Sequence, residues 1–125
     1  NWAVSAEEML NIYSQSRINL GFGYVGFTRD TCLKGRDFEV PSCGAVYLTT
    51  HSRELERVYA VGQEVLSYRG PADCADTIVQ LLNDPPRCTL IRKRAREAVV
   101  QRHTWALRVQ QLLTETGCPY PPFYA

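Results

Sequence analysis

The run Ala45-Val46-Tyr47-Leu48-Thr49 contains no charged side chain and is preceded by Gly44, and no other stretch constrains the fold as much. A strand wetted on one face alternates polar with apolar residues. A continuous apolar run of this length fits a central parallel strand covered on both faces. Parallel neighbours cannot be joined by a tight turn, so such a strand requires helical crossovers on either side of it in sequence. The chain supplies them. Arg17–Phe22 has β-branched and aromatic character and is bounded by Gly21 and Gly23, and Glu64–Tyr68 gives a third, more amphipathic candidate; the segments between the three read as helices.

Strand and helix therefore alternate with short connections, which calls for right-handed crossovers. The expected fold class is α/β: a Rossmann-like parallel sheet flanked by helices, with strands near Ile18–Phe22, Ala45–Thr49 and Val65–Tyr68 and a helical C-terminal third. At the start, Ser5-Ala6-Glu7-Glu8 forms a capping box, and Ala6, Met9, Leu10 and Tyr13 recur at helical spacing as a face to pack, with the helix ending near Ser14. Ser52 caps a short helix over Arg53–Val58. Gly70-Pro71 opens a helix whose apolar stripe reads Ala75, Ile78, Val79 and Leu82, and Asp84-Pro85-Pro86 stops it. From about Arg87 to Arg102 a further helix buries Ile91, Ala95, Ala98 and Val99. Thr104 caps the last helix, with Trp105, Val109, Leu112 and Leu113 as its stripe and Gly117 as its stop. The tail Tyr120-Pro121-Pro122-Phe123-Tyr124 is too aromatic to stay wholly in water and is expected to dock on the protein.

With 125 residues the chain is the size of one domain able to bury its own core. Fourteen basic against thirteen acidic side chains leave no global field to favour nucleic acid or a membrane surface. No apolar stretch reaches transmembrane length, and Asn1-Trp2-Ala3-Val4 lacks the pattern of a signal peptide. Five cysteines, Cys32, Cys43, Cys74, Cys88 and Cys118, are odd in number and share no Cys-x-x-Cys spacing, which argues against a disulfide framework or a zinc site and for a reducing cytoplasm. The basic run Arg87, Arg92, Lys93, Arg94, Arg96 and Arg102 has no aromatic interleaving, so it reads as a solvated or domain-contact face. His51, after the second strand, and His103, at a helix junction, read as structural, and Cys43 as a small buried group.

Chemistry concentrates in Lys34-Gly35-Arg36-Asp37-Phe38-Glu39-Val40-Pro41-Ser42-Cys43-Gly44. A helix starting near Gly35 with Lys34 and Arg36 beside it favours an anion, and Glu39, about one turn in, suits the vicinal hydroxyls of a ribose. Phosphate donors and a sugar acceptor in one turn suggest a nucleotide. The competing reading is a βαβ connection whose charges are merely solvated. Upstream, Gly23, Gly26, Arg29, Asp30 and Thr31 lie in a glycine-rich loop beyond a strand's carboxyl end, where open α/β sheets bind ligands.

That stretch, with Tyr47-Leu48-Thr49, Gln63-Glu64-Val65, and His103-Thr104-Trp105 with Arg108, resembles the C-terminal domain of group 1 glycosyltransferases. The similarity runs from about Ser5 to Leu113 and is nearest the branch named for spore maturation protein B. It implies the donor-binding half of a GT-B enzyme, in which two Rossmann-like domains close around a nucleotide-sugar. A UDP- or GDP-sugar would be the donor, no cofactor would be needed, and an N-terminal acceptor-binding domain would lie outside this chain. The isolated chain is then expected to show no transferase turnover. By the resemblance, Lys34, Gly35 and Arg36 hold the diphosphate, Glu39 takes the ribose, and Arg29, Asp30 and Thr31 form a donor-sugar loop. Many family members carry a second glutamate upstream of the one matched by Glu39; here Thr31 stands eight positions earlier, and Asp30 is one residue off register. The resemblance implies no catalytic residue or metal ligand. Two other classes stay open: a non-catalytic binding or assembly domain of the same fold, and a receiver domain, for which the clustered acidic residues are missing.

Overall fold

The computed structural model describes residues 4–28 and 30–117. Three parallel strands form the sheet in the order β1 (Asn19–Leu20), β2 (Tyr47–Thr50) and β3 (Leu66–Tyr68). The pairings set Asn19 opposite Tyr47 and Leu48 opposite both Leu20 and Leu66. Around the sheet lie α1 (Ala6–Gln15), α2 (Arg36–Ser42), α3 (Arg53–Val58), α4 (Pro71–Leu82), α5 (Pro85–Arg102) and α6 (Trp105–Thr116). The fold is the α/β arrangement that strand and helix alternation requires.

The apolar run around β2 divides its side chains between two cores. Ala45 and Tyr47 point to one face, where Val40 of α2, Leu55 of α3, and Ala98 and Val99 of α5 cover them. Val46 and Leu48 point to the other, against Leu81 of α4 and Ile91 of α5. The first half of α5 thus serves one core and the second half the other, with Ile91, Ala95, Ala98 and Val99 all buried. Alternate side chains of a central strand face opposite sides, so a strand buried on both must be apolar throughout.

The strands are shorter than their apolar runs. The β1 ladder continues only through the Gly21 N–H, which bonds to the Leu48 carbonyl at 2.8 Å, and Phe22 is already 56% exposed. Beyond Gly21 the chain turns into the 23–32 loop, pinned by an antiparallel bridge between Tyr24 and Thr31. Likewise Val65 makes only an isolated bridge, to Val61.

The N-terminal caps form as the sequence implies. Ser5 and Glu8 exchange both capping-box bonds, and Ser52 and Thr104 each accept an amide from the first turn of their helices. The two prolines after Asp84 open α5 rather than preceding it: Asp84 accepts the Arg87 N–H, and the prolines occupy positions that need no amide hydrogen.

Three helix faces depart from the expected stripes. In α4 the buried line is Cys74, Ile78 and Leu81, with Leu81 1% and Val79 58% exposed, while Ala75 and Leu82 also face outward. Neither α1 nor α6 buries any residue: Leu10, Ile12, Val109 and Leu112 are exposed, and Met9, Tyr13 and Leu113 only half-covered. The physical reason is area. A sheet of three short strands offers two small faces, and α2, α3, α4 and α5 already occupy them. Cys118 and the aromatic tail lie outside the described residues.

Candidate functional site

The segment between β1 and β2 is organised by a buried carboxylate. Asp37, 3% exposed, accepts the Lys34 N–H at Oδ2 and the Tyr47 hydroxyl at Oδ1, both at 2.6 Å. Its own amide bonds back to the Lys34 carbonyl. A buried carboxylate is costly unless such donors satisfy it. Burial and the bond to Asp37 push the Tyr47 hydroxyl far above its ordinary pKa, so it remains a donor. Gly21 leaves the room this needs, because a Cβ there would stand 2.1 Å from the Tyr47 oxygen. In this way β1, β2 and the first turn of α2 meet at one point.

The turn leaves few amides free. Asp37, Phe38 and Glu39 donate to the Lys34 and Gly35 carbonyls, and the Lys34 amide is taken by Asp37. Among the described residues only Gly35 and Arg36, of these six positions, keep an N–H without an acceptor. The Lys34, Arg36 and Glu39 side chains likewise make no ion pair or hydrogen bond with a described residue. Arg36 and Glu39 are exposed and Lys34 half-buried. The α2 helix ends at Cys43, after which Gly44 adopts φ +63°, a left-handed conformation that suits glycine and turns the chain into β2.

Glu39 faces a cavity of about 190 Å³ that it shares with Gly35, Phe38, His103, Trp105 and Arg108. Here α6 and the end of α5 meet α2. The His103 ring packs edge-on against Phe38 and Tyr59, with centroids 5.4 and 5.0 Å away. Its Nε2 lies 2.9 Å from the Val58 carbonyl and its Nδ1 2.7 Å from the Arg108 guanidinium. A carbonyl only accepts and a guanidinium only donates, so the ring is neutral with its proton on Nε2. Burial lowers its pKa most, and the charges of Arg108 and Arg102 act in the same sense against the bond to Val58, which raises it. Trp105, assigned to a packed stripe by spacing, is 85% exposed at the cavity rim. At this volume the cavity is smaller than the usual pocket for a whole small-molecule ligand.

A second cavity of about 360 Å³ opens at the carboxyl ends of β2 and β3, with Thr31 and Tyr24 on one wall and His51, Arg53 and Arg69 among its other lining residues. Thr31 therefore belongs to a cavity, while Asp30 is exposed and Arg29 lies outside the described residues. The His51 ring nitrogens approach Ser67 and Glu56, a structural arrangement. A larger hollow, about 440 Å³ between Gly44 and α5, lies at the amino end of β2, away from the strand ends where such sheets bind ligands.

The basic face of α5 is largely committed to the fold. Arg92 donates to the Ser16 carbonyl, Arg96 to the Ser42 carbonyl, Arg94 to Gln63, and Arg102 to Glu64 at 2.6 Å. All of these residues but Arg92 are exposed, so the face is solvated as expected and also clamps neighbouring segments. Cys43 is half-buried with its thiol donating to the Glu39 carbonyl. Asp37 and Tyr47, the anchors of the turn, were not singled out by sequence reasoning. The only signal was that Asp37 follows two cations without resembling a cap. Sequence reading gives His103 only a structural role at a helix junction, and Arg108 enters only through the motif that carries the resemblance.

A parallel sheet flanked by helices on both faces defines a Rossmann-like domain. The chain belongs to the glycosyl transferase-like family, whose model matches residues 1–114. Neither among curated proteins nor among solved structures does any match the chain. Among the described residues no helix is long and apolar enough to cross a membrane.

Proposed function

We propose that this domain binds the nucleotide-sugar donor of a glycosyltransferase. Lys34, Arg36 and the amides of Gly35 and Arg36 take the diphosphate, and Glu39 takes the ribose hydroxyls. The supporting observation is that the fold itself uses none of these groups: three charges and two amides converge at one turn with no partner among the described residues. Polar groups left open at the carboxyl side of a parallel sheet are the usual grip for phosphate and sugar in such folds. Glu39 fits the ribose role because it lines a small cavity and its neighbour Trp105 presents an open indole face.

The domain is the donor-binding half of a GT-B enzyme, in the branch named for spore maturation protein B. The residues favouring that branch are the 34–44 stretch, Gln63-Glu64-Val65 and His103-Thr104-Trp105. The donor is a UDP- or GDP-sugar. The acceptor site lies on an N-terminal domain, to which the uncovered apolar faces of α1 and α6 offer a surface. Asp30 and Thr31 border the transferred sugar, and the enzyme works in the cytoplasm.

Calorimetric titration with UDP, GDP and uridine tests the site. Glu39→Gln keeps shape but removes charge, and weakens the preferred nucleotide by about tenfold, equivalent to ~1.4 kcal/mol. Undiminished binding by Glu39→Gln would leave the stretch as a mere crossover.

A further inference from the structure

Most described arginines are engaged. The guanidiniums of Arg17, Arg92, Arg94, Arg96, Arg102 and Arg108 each donate to a protein acceptor. Arg53 and Arg69 do not, and both line the 360 Å³ cavity at the ends of β2 and β3. Arg36 in the α2 turn, and Arg57 and Arg87, exposed on α3 and α5, also have no partner among the described residues, and none of the three lines this cavity. Of the nearby acids, Glu56 faces His51 at 3.6 Å and Asp73 accepts the Arg69 backbone amide at 2.8 Å, while Asp30 and Glu54 are exposed and are not among the lining residues. The remaining lining is the imidazole of His51 and the hydroxyls of Thr31, Tyr24, Ser52 and the Thr50–Tyr68 pair, which is anchored to the Gly21 carbonyl. Among the described residues no carboxylate lines the cavity.

Two free guanidiniums, neutral hydroxyls and no lining acid make a site for an anion rather than for a neutral ligand. Its position fixes the context. Thr31, on the cavity wall, precedes Lys34 by three residues, which limits their separation to about 11 Å of chain. On the donor-binding reading, a sugar joined to a diphosphate at Lys34 and Arg36 is thus within chain reach of Thr31.

We infer that this cavity is an anion subsite, with Arg53 and Arg69 receiving the carboxylate or phosphate of a negatively charged sugar. That sugar is the one carried by the donor, so the enzyme transfers a uronic acid or a similarly anionic residue. The inference rests on the donor-binding reading above for the identity of the sugar, though not for the subsite itself.

Amide NMR of the full chain separates the two. Glucuronate and glucose 6-phosphate should shift amides at Tyr24, Thr31, His51 to Arg53 and Arg69, while glucose should not. Arg53→Gln with Arg69→Gln should abolish those shifts and Glu39→Gln should leave them. Equal shifts with glucose, no shifts at all, or shifts that survive the double substitution would overturn the subsite. For the donor arm, UDP-glucuronate should bind about tenfold more tightly than UDP-glucose, the scale of one charge-assisted bond, and the double variant should erase the difference. If the free anionic sugars bind there but the two UDP-sugars bind equally, the subsite stands and the anion belongs to the acceptor, which overturns the donor assignment. Absence of UDP shifts at residues 34–39 with the anion shifts intact would sink the nucleotide reading alone.

Discussion

The Tyr47 hydroxyl lies 2.6 Å from Asp37 Oδ1, and through that single bond the central strand holds the turn that presents Lys34, Gly35 and Arg36. Tyr47→Phe removes the donor and leaves a buried carboxylate oxygen unsatisfied. The expected loss is about 1–3 kcal/mol in urea unfolding. An unchanged unfolding midpoint would show that Asp37 does not depend on this bond.

The proposed diphosphate contact distinguishes Arg36 from the arginines of α5. Arg36→Ala should weaken UDP or GDP by about tenfold and uridine by no more than about twofold, because only the former carry the anion that it meets. Arg94 donates to Gln63 on the exposed side of α5, so Arg94→Ala should alter neither. Calorimetry on the two variants checks this, and a loss that follows Arg94 would relocate the site.

His103 predicts a pH dependence of stability. Its pKa is lowered in the folded protein, chiefly by burial, so as pH falls the unfolded chain takes up the proton first, near about pH 6.5. Stability from this group is therefore full at neutral pH and is lost between about pH 6.5 and the lower native value. His103→Gln retains a donor for the Val58 carbonyl and cannot titrate. Unfolding curves at about pH 7.5 and about pH 5.5 should show a smaller acid loss in the variant than in the parent. Equal losses would remove His103 as the cause.

Two neighbouring apolar positions on α4 should behave very differently. Leu81→Ala empties a fully covered position against Val46 and Ile91 and should cost about 2–5 kcal/mol. Val79→Ala, at an exposed position, should stay within about 0.5 kcal/mol. Thermal denaturation of both variants decides which stripe faces the sheet, and a large cost at Val79 would restore the stripe expected from spacing.

The contrast at α4 shows where sequence reasoning stops. Ala75, Ile78, Val79 and Leu82 recur at helical spacing as well as Cys74, Ile78 and Leu81 do, and both lines share Ile78. Local periodicity cannot choose between them. What chose was the small face of β2 and β3, which Leu81 reaches and Val79 does not. The same limit explains α1 and α6: their stripes are genuine, but the sheet had no uncovered face left for them.

The sequence by itself determined the α/β class, the order of the elements, the N-terminal caps at Ser5, Ser52 and Thr104, the buried line of α5, and the stretch around Lys34 and Glu39 as the place where charge gathers. These follow from neighbours a few residues apart, through hydrogen bonds and spacings that act within one turn or one strand. Only the tertiary structure decided that Asp37 is buried against Tyr47, that Glu39 shares a cavity with His103 and Trp105, and that Arg53 and Arg69 line another. Asp37 and Tyr47 stand ten residues apart, and Glu39 is far from Trp105 in the chain. Contacts at such separations exist only after the crossovers have set the strands side by side and brought α2, α5 and α6 together.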